Sequence, residues 1–208
     1  MAESSDRELL AAWRSGDERS GAVLFERHYP AIKRFFENKV GTDAEELIQR
    51  TFLACLEAKD RFRGDSSIRT FLFGIAHNLL REHFKAKRRD PAAPLDTSAV
   101  SAHDLAPGPS SVVAAKQEQR LLLDALRRVP LDYQIALELH YWEHHTAAQI
   151  AEVIGLPVGT VKTRLRRGRQ LVEAAIDELV TNPELRHSTV TGLDQWVAGL
   201  RAQLASAR

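Results

Sequence analysis

The chain has 208 residues, 44% of them apolar and 27% charged, with 29 basic and 28 acidic side chains, the mix of a soluble globular protein. No apolar run approaches the ~20 residues a bilayer span needs, and the N-terminus MAESSDRELL lacks the basic start and apolar core of a secretory leader. The single cysteine, Cys55, excludes an internal disulfide and a cysteine zinc cluster, so a cytoplasmic protein without a membrane span is expected.

In chain order the pattern is helical. Ser5 and Glu8 have the spacing of a capping box that opens a first helix. A second helical stretch, 18–40, carries Val23, Leu24, Phe35 and Phe36; Pro30 is expected to kink or divide it, and Gly41 to end it. Thr42 and Glu45 form a further capping box for a helix near 43–59, whose apolar stripe is Leu47, Ile48, Phe52 and Leu56. After a polar loop, a long helix over 68–87 sets Ile68, Phe71, Leu72, Ile75 and Leu79 on one face.

Residues 90–115 hold Pro91, Pro94, Pro107 and Pro109, many Ala and Ser, and no Lys or Arg. This reads as a linker. Beyond it, Leu121, Leu122, Leu126 and Val129 mark a helix that stops at Pro130, and another spans 131–142. A short helix, 147–154, is capped by Thr146 and Gln149, and a turn at Gly155 and Pro157 leads into a helix over 158–179. Strand alternation is absent, so the fold expected is all-α: two helical domains, 1–89 and 116–180, with a C-terminal extension, 181–208. In that extension Leu193, Trp196, Val197, Leu200 and Leu204 make one apolar stripe, which suits either a partner surface or a packing helix.

The near-zero net charge hides two cationic blocks. Residues 61–89 hold eight basic and two acidic side chains, and residues 158–172 hold five basic and none acidic. Such blocks suit phosphate-backbone binding; a solvated helix face is the plainer reading of either one alone. In the second block a short helix, a Gly-containing turn and a second helix with a basic outer face define a helix-turn-helix. Lys162, Thr163, Arg166 and Arg167 share the face opposite Val161, Leu165 and Gly168. With Arg164 they are the candidate groups for base edges and phosphates.

The phrase LPVGTVKTRLRRGRQLV, preceded by VPLDYQIALELHYWEHHTAAQIAEVIG, resembles the −35-reading domain of bacterial RNA polymerase sigma factors, and more closely that of the extracytoplasmic-function (ECF) group. One departure is Gln149, where that group usually has Glu. The resemblance extends to the first domain. DAEELIQRTFLACLEA (43–58) looks like the segment that grips the clamp helices of the polymerase largest subunit, which would give Asp43, Glu46, Leu47, Gln49, Arg50 and Phe52 that role. RFRGDSSIRTFLFGIAHNLLREHFKAKRR (61–89) looks like the −10-reading and melting segment. Duplex opening needs cations for phosphates, aromatics to stack on bases and polar groups to read a flipped base. Arg63, Arg81 and Arg88 are candidates for the first, together with Arg69, Lys85, Lys87 and Arg89. Phe62, Phe73 and Phe84 are candidates for the second, with His77 beside them. Asn78, Ser66 and Ser67 are candidates for the third. Phe71, where the family commonly has Trp, lies on the apolar stripe and is read as core; Phe73 lies off it and is read as the stacking residue.

The resemblance implies a transcription initiation factor that directs core polymerase to promoters, reads −10 and −35 elements and contacts the flap of the second-largest subunit. It also implies an anti-sigma factor as partner. The linker, with Asp90, Asp96 and Asp104, is either a passive tether or a chain threaded near the polymerase cleft. Two rivals remain: a sigma-like decoy, and a helix-turn-helix regulator acting without core polymerase. No nucleophile–base pair, phosphate loop or complete metal site is visible, so neither catalysis nor a cofactor is expected. His140, His144 and His145 cluster without a third ligand type, and Cys55 reads as a packed thiol.

Overall fold

The structure, a computed structural model of the whole chain, describes residues 4–62, 64, 66–87 and 117–179. The linker 90–115 and the extension 181–208 lie outside these. Among the described residues there are eight α-helices and one 3₁₀ turn, and no strand. They form two compact units, the first holding the helices of 6–86 together with the segment 148–156, the second holding the helices of 117–141 and 158–179.

In the first unit α1 (Asp6–Arg14) packs on α2 (Glu18–Val40), α2 on α3 (Ala44–Ala58), and α3 on α4 (Ile68–Ala86). The Ser5–Glu8 box forms: the Glu8 carboxylate accepts from the Ser5 N–H at 2.7 Å, and the Ser5 hydroxyl accepts from the Glu8 N–H at 3.3 Å. Trp13 of α1 lies over Gly21 of α2, where an added methyl would stand 2.6 Å from the indole Cδ1. Pro30 does not divide α2, which runs unbroken through it for 23 residues. Burial of Leu24, Ile32, Phe35 and Phe36 along that helix, at ~1.5–3 kcal/mol each, outweighs the ~3 kcal/mol that a proline costs inside a helix.

Gly41, at φ 59°, ends α2 as the sequence predicts. The Thr42–Glu45 box does not form: Gly41–Asp43 make a 3₁₀ turn, and Asp43 caps α3 without a side-chain cap bond. The face that α3 buries is Leu47, Ile48, Thr51 and Cys55. Leu56, expected on the buried stripe, is 43% exposed, and Phe52 is half-buried against Phe25 and Tyr29. The Cys55 thiol is wholly buried and pushed up to about 12, so it is inert at neutral pH.

α1 and α2 are tied by Asp6, whose carboxylate oxygens meet the Arg27 guanidinium at 2.6 Å and His28 Nε2 at 2.8 Å. Burial holds the buried His28 imidazole below its usual range, against the pull of Asp6. His83 is lowered as well, by burial and then by Lys87. Both rings therefore bind protons less readily in the folded chain than in the unfolded one, whose histidines titrate near ~6.5. Stability is expected to fall as pH drops through that value. Urea midpoints at pH 7.5 and 5.5 test this, and the His28→Gln variant is expected to flatten the dependence. A midpoint that does not move between the two pH values sinks the assignment.

In the second unit α5 (Gln117–Arg128) and α6 (Leu131–Tyr141) both pack on α8 (Val158–Leu179). Their core is Leu122, Ala125, Leu126, Val129, Leu137, Tyr141, Val172, Ala175 and Ile176. Between α6 and α8 in the chain runs α7 (Ala147–Ile154), the helix of the segment 148–156. These four helices fall where the sequence predicts them.

Candidate nucleic-acid interface

α7 ends on Gly155, at φ 69°, with the Ala151 carbonyl accepting from the N–H groups of Gly155 (2.9 Å) and Leu156 (3.1 Å). This left-handed cap closes the helix and lets the chain turn. α8 then starts after Pro157, whose carbonyl accepts from the Val161 N–H at 3.1 Å. The two sides of α8 differ sharply. Val161 and Gly168 are buried and Leu165 packs on the core cluster, whereas Lys162, Thr163, Arg166 and Arg167 are exposed. A ridge of three cations and a hydroxyl therefore stands free on a helix whose other side is locked. Thr163 donates back to the Gly159 carbonyl at 3.1 Å, and Arg167 reaches Gln170 at 3.3 Å.

Arg164 stands apart from this ridge. It is half-buried, and its Nη2 lies 2.6 Å from an Asp132 carboxylate oxygen on α6. Its charge is engaged inside the unit.

On α4 the buried arc is Ile68, Thr70, Leu72, Phe73, Ala76, His77, Leu80 and Phe84. The expected stripe holds only at Ile68 and Leu72; Phe71, Ile75 and Leu79 are half-buried. In burial the two rings are thus exchanged relative to expectation. Phe73 is 1% exposed, with its ring edge-on to Phe35 at 5.5 Å. Phe71 is the partly open ring, tilted on the buried Phe62 at 4.7 Å. Phe62, Phe84 and His77 are buried too, so none of the aromatic candidates named beforehand has an open face. Ser67 caps α4, its hydroxyl accepting from the Thr70 N–H at 3.0 Å, and Ser66 is half-buried. Asn78, Arg81 and Lys85 are exposed, and helical spacing aligns them with Phe71. Arg63 and Arg88 lie outside the described residues.

The outward face of α3 carries Glu46, Gln49 and Arg50, as expected, but also Leu53, at 54% exposure, and Leu56. Positions 46, 49, 50, 53 and 57 share one side of a helix, so this spacing was the available signal for Leu53. Leu47, named with the set, is 1% exposed and belongs to the chain's own core. Asp43 pairs with Lys87, whose ammonium holds its carboxyl below the usual range, and lies 3.5 Å from His83. Arg50 reaches Glu82 at 3.5 Å. The Arg50–Glu82 pair thus bridges α3 to α4, and the Asp43–Lys87 pair joins the residues that flank them.

The sigma-70 region 2 family model matches residues 24–90, and the sigma-70 region 4 model matches residues 119–172. Over 185 residues the chain is 24% identical to the ECF RNA polymerase sigma-E factor of Escherichia coli K12, covering 85% of this chain and 96% of that one. It is 27% identical over 190 residues to the sigma-E factor of Haemophilus influenzae, covering 86% and 100%. Among solved structures the fold is similar to CnrH, in complex with the cytosolic domain of CnrY (TM-score 0.60, 23% identity, 84% of this chain and 99% of that one). It is also similar to the sigma factor RpoE of Bartonella quintana, in complex with the anti-sigma factor NepR (TM-score 0.58, 19% identity, 74% and 94%).

Proposed function

Because the chain belongs to the sigma-70 family, in its extracytoplasmic-function group, and is a transcription initiation factor rather than an enzyme, we propose that it carries core RNA polymerase to promoters by reading two DNA elements with two of its helices. The observation that carries this is the ridge of Lys162, Thr163, Arg166 and Arg167, exposed on a helix whose opposite side is buried. Such a ridge can enter a major groove and place guanidinium groups on guanine edges or phosphates. In this reading residues 116–180 take the −35 element and residues 1–89 the −10 element.

On α4 the stacking residue is then Phe71, with Asn78, Arg81 and Lys85 along the same open face. Aromatic stacking and backbone neutralisation together favour an unpaired strand over a duplex. That preference opens the −10 element without hydrolysis.

Glu46, Gln49 and Arg50, with the exposed Leu53 and Leu56, are proposed to meet the clamp helices of the polymerase largest subunit. Apolar groups rimmed by polar ones have the composition of a docking patch. The second domain would meet the flap of the second-largest subunit. The Bartonella quintana factor is solved with an anti-sigma factor, and a restraining partner of that kind is proposed here. No helix among the described residues is long and apolar enough to cross a membrane.

Run-off transcription with purified core polymerase and a promoter library tests the reading. Transcripts from a discrete set of promoters, only when the chain is added, are expected. A chain that binds a regulator but starts no transcript is a sigma-like decoy.

A further inference from the structure

We propose that Arg164 is not a DNA contact but one end of a strut, with Asp132 as the other, that fixes how the recognition helix is rotated toward the groove. This rests on the −35 reading given above. Arg164 sits between Lys162 and Arg166 in sequence, yet one residue of helix turns ~100°, so it falls on the flank of α8 that borders the buried side. There its guanidinium meets Asp132 at 2.6 Å, with side-chain exposures of 24% and 16%. Asp132 lies in the first turn of α6, where a carboxylate is favoured by the helix dipole.

A second attachment lies one turn further along α8. Gly168 is buried against α6, and a methyl group there would stand 3.1 Å from Leu137 Cδ1 and 3.3 Å from Tyr133 Cβ. The missing side chain lets Leu137 and Tyr133 of α6 seat against the α8 backbone at that point. The buried contacts of Val161, Gly168 and Val172 seat α8 on its neighbours, and the charged contact at its exposed flank then sets the fine rotation of the helix about that seat. The cost of losing the charged contact falls on base contacts, which need side chains placed within a fraction of an ångström, more than on phosphate contacts, which tolerate movement.

Holoenzyme assembled from core polymerase and the full chain would be presented with a duplex library randomised over the upstream element. Base preference is read from the recovered sequences, and low-salt affinity is read on a non-specific duplex. For Asp132→Asn the preference at the strongest positions is expected to fall about fivefold to tenfold, with non-specific affinity and thermal midpoint near wild type. Asp132→Glu is expected to restore the preference, and Arg164→Ala to behave like Asp132→Asn. A direct DNA contact predicts the opposite: Asp132→Asn frees the guanidinium and binds tighter with preference intact, while Arg164→Ala alters one base position and lowers the salt slope by ~1. Either of these results overturns the strut. A wild-type chain with no base preference overturns the −35 reading and the strut with it.

Discussion

Replacing Arg166 and Arg167 together by Ala is expected to abolish selective promoter binding while leaving the fold in place. Both side chains are exposed, and nothing in the core depends on them. Each guanidinium that makes a bidentate base contact contributes ~1–3 kcal/mol to discrimination, so the single variants are each expected to lose roughly fivefold to a hundredfold in affinity for the selected promoter. A guanidinium that meets only phosphate would weaken all sequences alike and lower the salt slope by ~1. The residues are adjacent, so the double variant need not equal the sum of the singles. Binding of holoenzyme to the selected promoter and to a scrambled one, across a salt series, separates the two modes. Unchanged promoter choice in the double variant would falsify the assignment of this ridge.

Phe73→Ala and Phe71→Ala are expected to fail in different ways. The Phe73 ring is 1% exposed and wedged edge-on to Phe35, at 5.5 Å and 79°. Truncating such a ring removes buried area and leaves a cavity, for ~3–5 kcal/mol. A thermal midpoint lower by many degrees is expected, with activity lost through unfolding. Phe71 is half-buried and rests on Phe62, so its loss is expected to cost little stability. Its defect is expected in strand opening, because one base–aromatic stack is worth ~1–3 kcal/mol. Permanganate reactivity of the −10 thymines, measured beside thermal melts, reports both quantities. A stable Phe73→Ala chain with an opening defect, beside a Phe71→Ala chain that opens normally, would return the stacking role to Phe73.

That exchange shows where local pattern fails. α4 carries Ile68, Phe71, Leu72, Phe73, Ile75, Leu79, Leu80 and Phe84 within 17 positions, so more than one helical stripe is apolar. Which stripe turns inward is settled by the helices that α4 packs on, α3 and α2, the latter through the Phe35–Phe73 ring contact. The same holds for Thr42: its capping pattern is present, but the positive φ at Gly41 and the 3₁₀ turn after it use the chain differently. α8 was legible to its boundaries because one side is cationic and the other is Val161, Leu165, Gly168 and Val172, which leaves a single way to turn it. The Arg164–Asp132 pair was not legible, since no rule of spacing links residues on separate helices.

The state of Cys55 has a practical consequence. The chain holds no other sulfhydryl, and this one is sealed and kept protonated. A fluorophore can therefore be installed through a cysteine engineered at Gln49 or Leu53 in the native background, giving a single-site reporter of the proposed encounter with polymerase.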